Sequence, residues 1–68
     1  MTKRARPHFR CLQYETGQPW ILIEFVDGER LDLFQRTIGF DLPKHTPLEA
    51  AEEVAKFLSN ILVSISET

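Results

Sequence analysis

The stretch PWILIEFVDGERLDLF, Pro19 to Phe34, decides how this chain is read. It holds two apolar runs around Asp27-Gly28, the pattern of a β-hairpin. Its first arm is apolar on both faces, with Ile21, Ile23 and Phe25 pointing one way and Trp20, Leu22 and Val26 the other. A two-residue Asp27-Gly28 turn would pair Phe25 with Arg30 and Ile23 with Asp32, mixing apolar and charged groups on both faces. A three-residue loop, Val26-Asp27-Gly28 with Gly28 left-handed, pairs Ile23 with Leu31, Ile21 with Leu33 and Glu24 with Arg30. A slip of one residue turns every side chain to the opposite face, so the pattern selects the three-residue loop with a glycine bulge.

Working toward the N-terminus, His8–Tyr14 (HFRCLQY) reads as a preceding strand, separated by the turn formers ETGQP. A five-residue loop sets Cys11 opposite Ile23, Phe9 opposite Phe25, Leu12 opposite Leu22, Arg10 opposite Glu24 and Tyr14 opposite Trp20. One sheet face is then Phe9, Cys11, Ile21, Ile23, Phe25, Leu31 and Leu33. The other carries Leu12, Tyr14, Trp20, Leu22 and Phe34 at one end. At its other end lies a charge row, Arg10–Glu24–Arg30, with Asp32 nearby.

Toward the C-terminus the period changes from 2 to 3.6. Leu48, Ala51, Val54, Ala55, Leu58, Ile61, Leu62 and Ile65 share one side of a helix, opposite Glu49, Glu52, Glu53, Lys56, Ser59 and Asn60. Adding Ala50 and Phe57 widens the apolar arc to roughly 180°, where about 100° serves a surface helix. Thr46-Pro47-Leu48-Glu49 reads as a capping box with proline at the first helical position. The β-branched residues of LVSI (Leu62–Ile65) make the far end the weakest part of the helix. Between strands and helix, Ile38, Phe40 and Leu42 alternate. They suggest a short fourth strand near 37–42, or a lid formed by residues 35–45 over the second sheet face.

The expected fold is therefore α+β. A three-stranded antiparallel meander is followed by one C-terminal α-helix packed on one sheet face, in the order β-β-β-α, with the helix on the side of Ile21, Ile23, Phe25, Leu31 and Leu33. Residues 1–7 read as a flexible basic arm and residues 8–68 as a single domain.

Sixty-eight residues allow one small core, and a chain of this size buries only about 60% of its unfolded surface. The single Cys11 excludes an internal disulfide. His8, Cys11 and His45 lack any metal-ligand spacing, so neither metal nor cofactor is expected. No run approaches the ~20 apolar residues of a membrane span, and the basic start is not followed by the apolar run of a signal peptide. With one free thiol, a cytoplasmic protein is expected. The net charge of −2 conceals an asymmetry. Lys3, Arg4, Arg6 and Arg10 lie in the first ten residues without an acid among them, while the other four cations face all ten acids.

No constellation requires catalysis. Cys11 lies in mid-strand on the core face, where a free cysteine behaves as a small hydrophobe. Asp27 and Glu29 flank a turn glycine, and Glu49, Glu52 and Glu53 suit the positive end of the helix. An enzyme is not expected.

Trp20 opening a strand, Asp27–Arg30 (DGER) at a hairpin and TPLEAAEEVAKFL (Thr46–Leu58) form an order of elements with a known likeness. It resembles the arm-binding domains of phage-type integrases and the DNA-binding domains of plant ethylene-response factors. It is also similar to the strand-and-helix half of double-stranded-RNA-binding and HicB-type antitoxin domains. The resemblance implies nucleic-acid binding by a basic sheet face, here Arg10 and Arg30 but also Glu24 and Asp32. Contacts to phosphate supply most of the affinity in such complexes, and the acidic body opposes them. The reading favoured here is a small non-catalytic protein-binding or regulatory domain that associates with a protein partner or with itself as a homodimer. Its surface would centre on Trp20, Tyr14, Leu22 and Phe34, rimmed by Arg10 and Arg30 and extending to the helix rim. The alternative is nucleic-acid binding through the same face and the basic arm.

Overall fold

The computed structural model describes residues 1–68. Its elements are β1 (Lys3–Gln13), β2 (Pro19–Gly28), a 3-10 turn (Asp32–Gln35), β3 (Ile38–Asp41), α1 (Leu48–Ile61) and β4 (Ile65–Glu67). The strands form one antiparallel sheet in the order β3-β2-β1-β4. The α+β class, the antiparallel sheet and the single helix are those expected. The assignment of strands within that class differs in three places.

The third strand is not Arg30–Gln35. After Gly28 the chain leaves β2, and Phe34 donates to the Leu31 carbonyl at 3.2 Å in a 3-10 turn. Side chains three apart eclipse in a 3-10 turn, so Leu31 and Phe34 turn inward together. Leu31 is fully buried. The alternation of Leu31 with Leu33 suggested a strand; the three-residue spacing of Leu31 and Phe34 is what the chain uses. The third strand is β3, which pairs Trp20 with Asp41, Ile21 with Phe40, Leu22 with Gly39 and Ile23 with Ile38. Residues 35–45 thus extend the sheet, and Ile38 and Leu42 pack on the core. They do not form a lid over the second face.

Gly28 does adopt a positive φ, of 110°, but not as a hairpin bulge. It stands opposite Ala5, and a Cβ there would lie 2.8 Å from both the Ala5 Cα and the Arg4 carbonyl oxygen. The close approach of β2 to β1, together with the φ, demands glycine.

β1 begins at Lys3, well before His8. The residues read as an arm are, from Lys3 onward, part of the sheet. Along β1 the buried Ala5, Pro7 and Phe9 alternate with the exposed Arg4, Arg6, His8 and Arg10. The register shifts between Arg6 and Pro7, leaving Val26 as the extra residue of a β-bulge. Past Ala5 no strand lies along that edge of β1, so the N–H that proline lacks has no ladder partner to lose.

The first hairpin keeps the expected faces but shifts by two residues. Cys11 faces Ile21, Phe9 faces Ile23 and Leu12 faces Trp20, closed by Tyr14–Gln18. Two expected contacts survive this shift as diagonal neighbours: the Arg10–Glu24 ion pair at 3.3 Å, and the stacking of Tyr14 on Trp20.

The helix lies on the expected face, with Ala51 and Ala55 buried and Leu58 packed against Phe9, Ile21 and Ile23. No side chain caps its N-terminus: Pro47 occupies the N-cap position, and the Thr46 capping box does not form. The helix ends at Ile61, and Leu62 is already extended. The β-branched tail returns as β4, pairing Ile65 with Ala5 and Glu67 with Lys3. The Glu67 carboxylate accepts from the amides of Asp32 and Leu33 at 2.9 and 3.0 Å, holding the start of the 3-10 turn. Lys3 pairs with Asp32 at 3.7 Å across the same corner.

Candidate functional site

The side chains expected to form a surface separate into two groups. Tyr14, Trp20, Leu22 and Arg10 share the sheet face that carries no helix. Register places Arg10, Leu22 and Gly39 in one row there, and Leu12, Trp20 and Asp41 in the next. Phe34 lies on the opposite side, packed on the core and 5.9 Å from the Phe25 ring. Arg30 lies in the exposed link before the 3-10 turn and pairs with no acid. The charge row therefore reduces to Arg10 and Glu24, and the expected aromatic cluster to Tyr14 and Trp20.

The two rings of that cluster cover each other in part, and Tyr14 remains 44% exposed. The indole of Trp20 lies over Gly39, where a Cβ would fall 2.4 Å from the ring. Tyr14 stacks against the indole, ring centroids 5.5 Å apart and planes 16° from parallel. Its hydroxyl donates to the Asp41 carboxylate at 2.7 Å. That donation holds the tyrosine in its neutral form and pushes its pKa above the usual value. Trp20 and Leu22 are each partly buried. The chain covers its own tryptophan with its own tyrosine.

Further exposed apolar side chains lie on the helix side. Ser59 and Glu52 mark the flank of α1 that faces the free edge of β1. There Ser59 Oγ bonds to the Phe9 backbone, and a shallow groove of about 370 Å³ is lined by His8, Arg10, Cys11, Glu52, Lys56 and Asn60 among others. The flank of α1 away from Ser59 and Glu52 is apolar. It presents Ala50, Val54, Phe57 and Ile61, spaced four, three and four residues apart, on one stripe. Phe57 is 61% exposed, Ile61 55% and Val54 41%. The helix packs mainly on β1, so the inner face of β3 is left half open, with Phe40 50% and Phe25 43% exposed. The roughly 180° apolar arc read from the helix sequence was the signal for this surface. One part of the arc builds the core, and the rest meets solvent.

The groove beside β1 brings His8 and Cys11 to one place without joining them. The Cys11 thiol makes only a long contact, 3.9 Å, to the Leu12 carbonyl. Burial and the Glu52 carboxylate push its pKa up, away from the thiolate a nucleophile needs. No group of three His, Cys, Asp or Glu side chains could hold a metal ion. No helix is long and apolar enough to cross a membrane.

Compared with protein-family models, with curated proteins and with solved structures, the chain finds no match.

Proposed function

We propose that this chain is a small, non-catalytic, cytoplasmic protein-binding domain whose docking surface is the apolar flank of α1 together with the open inner face of β3. One observation carries the reading. Val54, Phe57, Ile61, Phe40 and Phe25 are all more than two-fifths exposed, in a chain with nine buried residues. Taking about 150–250 Å² per aromatic side chain, these five leave roughly 400 Å² of apolar surface in water. The largest apolar patch of a monomeric protein is about 300–600 Å² and is often functional, and the sum here is of that size. The reduced, core-packed Cys11 suits a cytoplasmic setting. The expected centre at Trp20 shifts accordingly: the sheet face with Tyr14 and Trp20 is secondary, and the helix rim becomes primary.

The test compares wild type with a Val54→Ser/Phe57→Ser double variant. Wild type should either self-associate or, as a monomer, bind an apolar fluorescent dye such as bis-ANS, and the variant should lose that property while keeping its fold. A wild type that stays monomeric and binds no dye would remove the reading.

A second reading, nucleic-acid binding, is favoured by one alignment. Arg4, Arg6, His8 and Arg10 project at alternate positions of β1, about 7 Å apart, toward Leu12 and the Tyr14–Trp20 stack. Arg4 and Arg6 form no ion pair, whereas Glu24 already neutralises Arg10. This reading requires salt-sensitive binding to a single-stranded oligonucleotide that weakens in Arg4→Ala/Arg6→Ala. Absence of binding at low salt removes it.

A further inference from the structure

We propose that the groove between the β1 edge and α1 takes an extended acidic peptide, which pairs as an added strand with the free backbone of Cys11 and Gln13. This surface is separate from the apolar flank of α1 and does not depend on it.

The edge of β1 away from β2 is closed step by step, with one gap. β4 pairs with Lys3–Ala5. Pro7 has no N–H to offer there. The N–H and C=O of Phe9 both point to this edge, and Ser59 Oγ meets them at 2.9 and 3.2 Å. Backbone polar groups alternate in direction along an antiparallel strand. Cys11 and Gln13 therefore turn theirs to the same edge as Phe9. The hairpin gives the same parity. Tyr14 donates to the Gln18 carbonyl at 3.0 Å, while the carbonyl of Pro19, which stands opposite Gln13, accepts from Leu42 at 3.3 Å. No turn, loop or side-chain bond reaches the backbone of Cys11 or Gln13.

No hollow adjoins the β3 edge, whereas at Cys11 this gap opens on the groove beside α1. At about 370 Å³ the groove falls within the ~300–1,000 Å³ range of ligand sites. The free N–H and C=O pairs recur at every second residue, about 7 Å apart. Another extended backbone matches that repeat, and a compact ligand does not. Ser59 already shows the mode, since its one hydroxyl stands where a partner strand would give and take a hydrogen bond at Phe9. In strand addition of this kind the main chain supplies affinity and the flanking side chains supply specificity. Charge selects the peptide. Lys56 lines the groove without an ion pair, and His8 and Arg10 line it too, Arg10 shared with Glu24; Glu52 is the one acid there. Cys11 packs on the core side of the sheet, so a residue paired with it turns its side chain to the same side, toward α1 and Lys56.

The probe is an acetylated heptapeptide of alternating valine and glutamate, titrated to millimolar concentration into isotope-labelled protein and followed by amide NMR. The amides of Cys11 and Gln13 should shift and become protected from solvent exchange, while those of Gly39 and Asp41 on the β3 edge should not. Two control peptides separate backbone pairing from charge. One carries proline at its central residues and cannot complete the ladder; the other carries lysine for glutamate. Each should bind about tenfold more weakly or less. Lys56 is exposed, so Lys56→Glu should keep the fold and reverse the preference between the glutamate and lysine peptides. Val54→Ser/Phe57→Ser should leave binding unchanged, which separates this groove from the apolar flank. No binding at millimolar peptide overturns the proposal. So do shifts that spare Cys11 and Gln13, equal affinity for the proline peptide, or an unchanged preference in Lys56→Glu.

Discussion

Ser59 clasps Phe9: its hydroxyl accepts the Phe9 amide hydrogen at 2.9 Å and donates back to the Phe9 carbonyl at 3.2 Å. One helix side chain thus does for this part of the β1 edge what β4 does for Lys3–Ala5. Ser59→Ala would leave both backbone groups unpartnered in a partly buried place, where each lost partner costs about 1–3 kcal/mol. We expect a loss at the lower end, about 1–2 kcal/mol, because water can reach the edge. Urea unfolding followed by far-UV circular dichroism measures it, and an unchanged midpoint would show the clasp to be incidental.

Gly39 keeps the outer face flat beneath Trp20. Gly39→Ala would place a methyl group inside van der Waals contact with the indole, so the ring must lift and the Tyr14 stack must open. Trp20 emission should shift to the red, with destabilisation of about 1–3 kcal/mol from overpacking. Gly17→Ala is the informative control. Its Cβ would meet nothing, so only its positive φ is strained, and the Trp20 spectrum should not change.

The Tyr14–Asp41 bond has a signature in alkali. The folded-state pKa of Tyr14 is raised, first by donation to Asp41. The bond's contribution is therefore complete below the ordinary tyrosine value of about 10 and is lost as pH rises through the raised folded value. Absorbance at 295 nm should show the single tyrosine ionising above pH ~10 in the native protein, and Asp41→Asn should bring that midpoint down. A native midpoint at or below that of the unfolded chain would contradict the bond.

Cys11 should be slow to alkylate. Burial and the Glu52 carboxylate raise its pKa, so at neutral pH it is held as the thiol. Labelling by iodoacetamide at pH 7.5 should run well below the rate of the urea-unfolded chain, and Glu52→Gln should speed it modestly. Fast labelling of the folded protein would reopen a catalytic role for the groove beside β1.

Much of this architecture is legible in the sequence, and the failures share a cause. The strict alternation of Phe9, Cys11, Ile21 and Ile23 specifies a buried sheet face, and the 3.6-residue repeat from Leu48 to Ile61 specifies the helix that covers it. Where two periods compete, the local pattern does not choose. Leu31-Asp32-Leu33-Phe34 satisfies alternation and three-residue spacing equally, and a long-range contact decides between them: Glu67, thirty-four residues from Leu33, binds the amides of Asp32 and Leu33. β1 runs through Pro7, a residue that ordinarily interrupts a strand and is harmless here because that edge lacks a partner past Ala5. The mutual packing of Trp20 and Tyr14 is not legible in the sequence, because it depends on the register that sets them diagonally across β1 and β2. Sequence counts such residues as sticky; the fold spends them on one another and leaves Phe57 and Ile61 in water instead.

The pairing of Lys3 with Glu67 sets the order in which the sheet can assemble. The β1–β2 hairpin closes over a five-residue loop and needs no other element, whereas β4 must find β1 across nearly the whole chain. Closure entropy grows with the logarithm of loop length, so the long closure starts at a disadvantage that only a pre-formed helix and hairpin can offset. Folding should therefore begin at the Tyr14–Gln18 turn, proceed through docking of α1, and end with β4. Native-state hydrogen exchange would run in reverse, opening first at Ile65–Glu67 and last around Phe9 and Ile21. The small acidic grip of Glu67 on the 3-10 turn is then the latch that completes the molecule, formed last and released first.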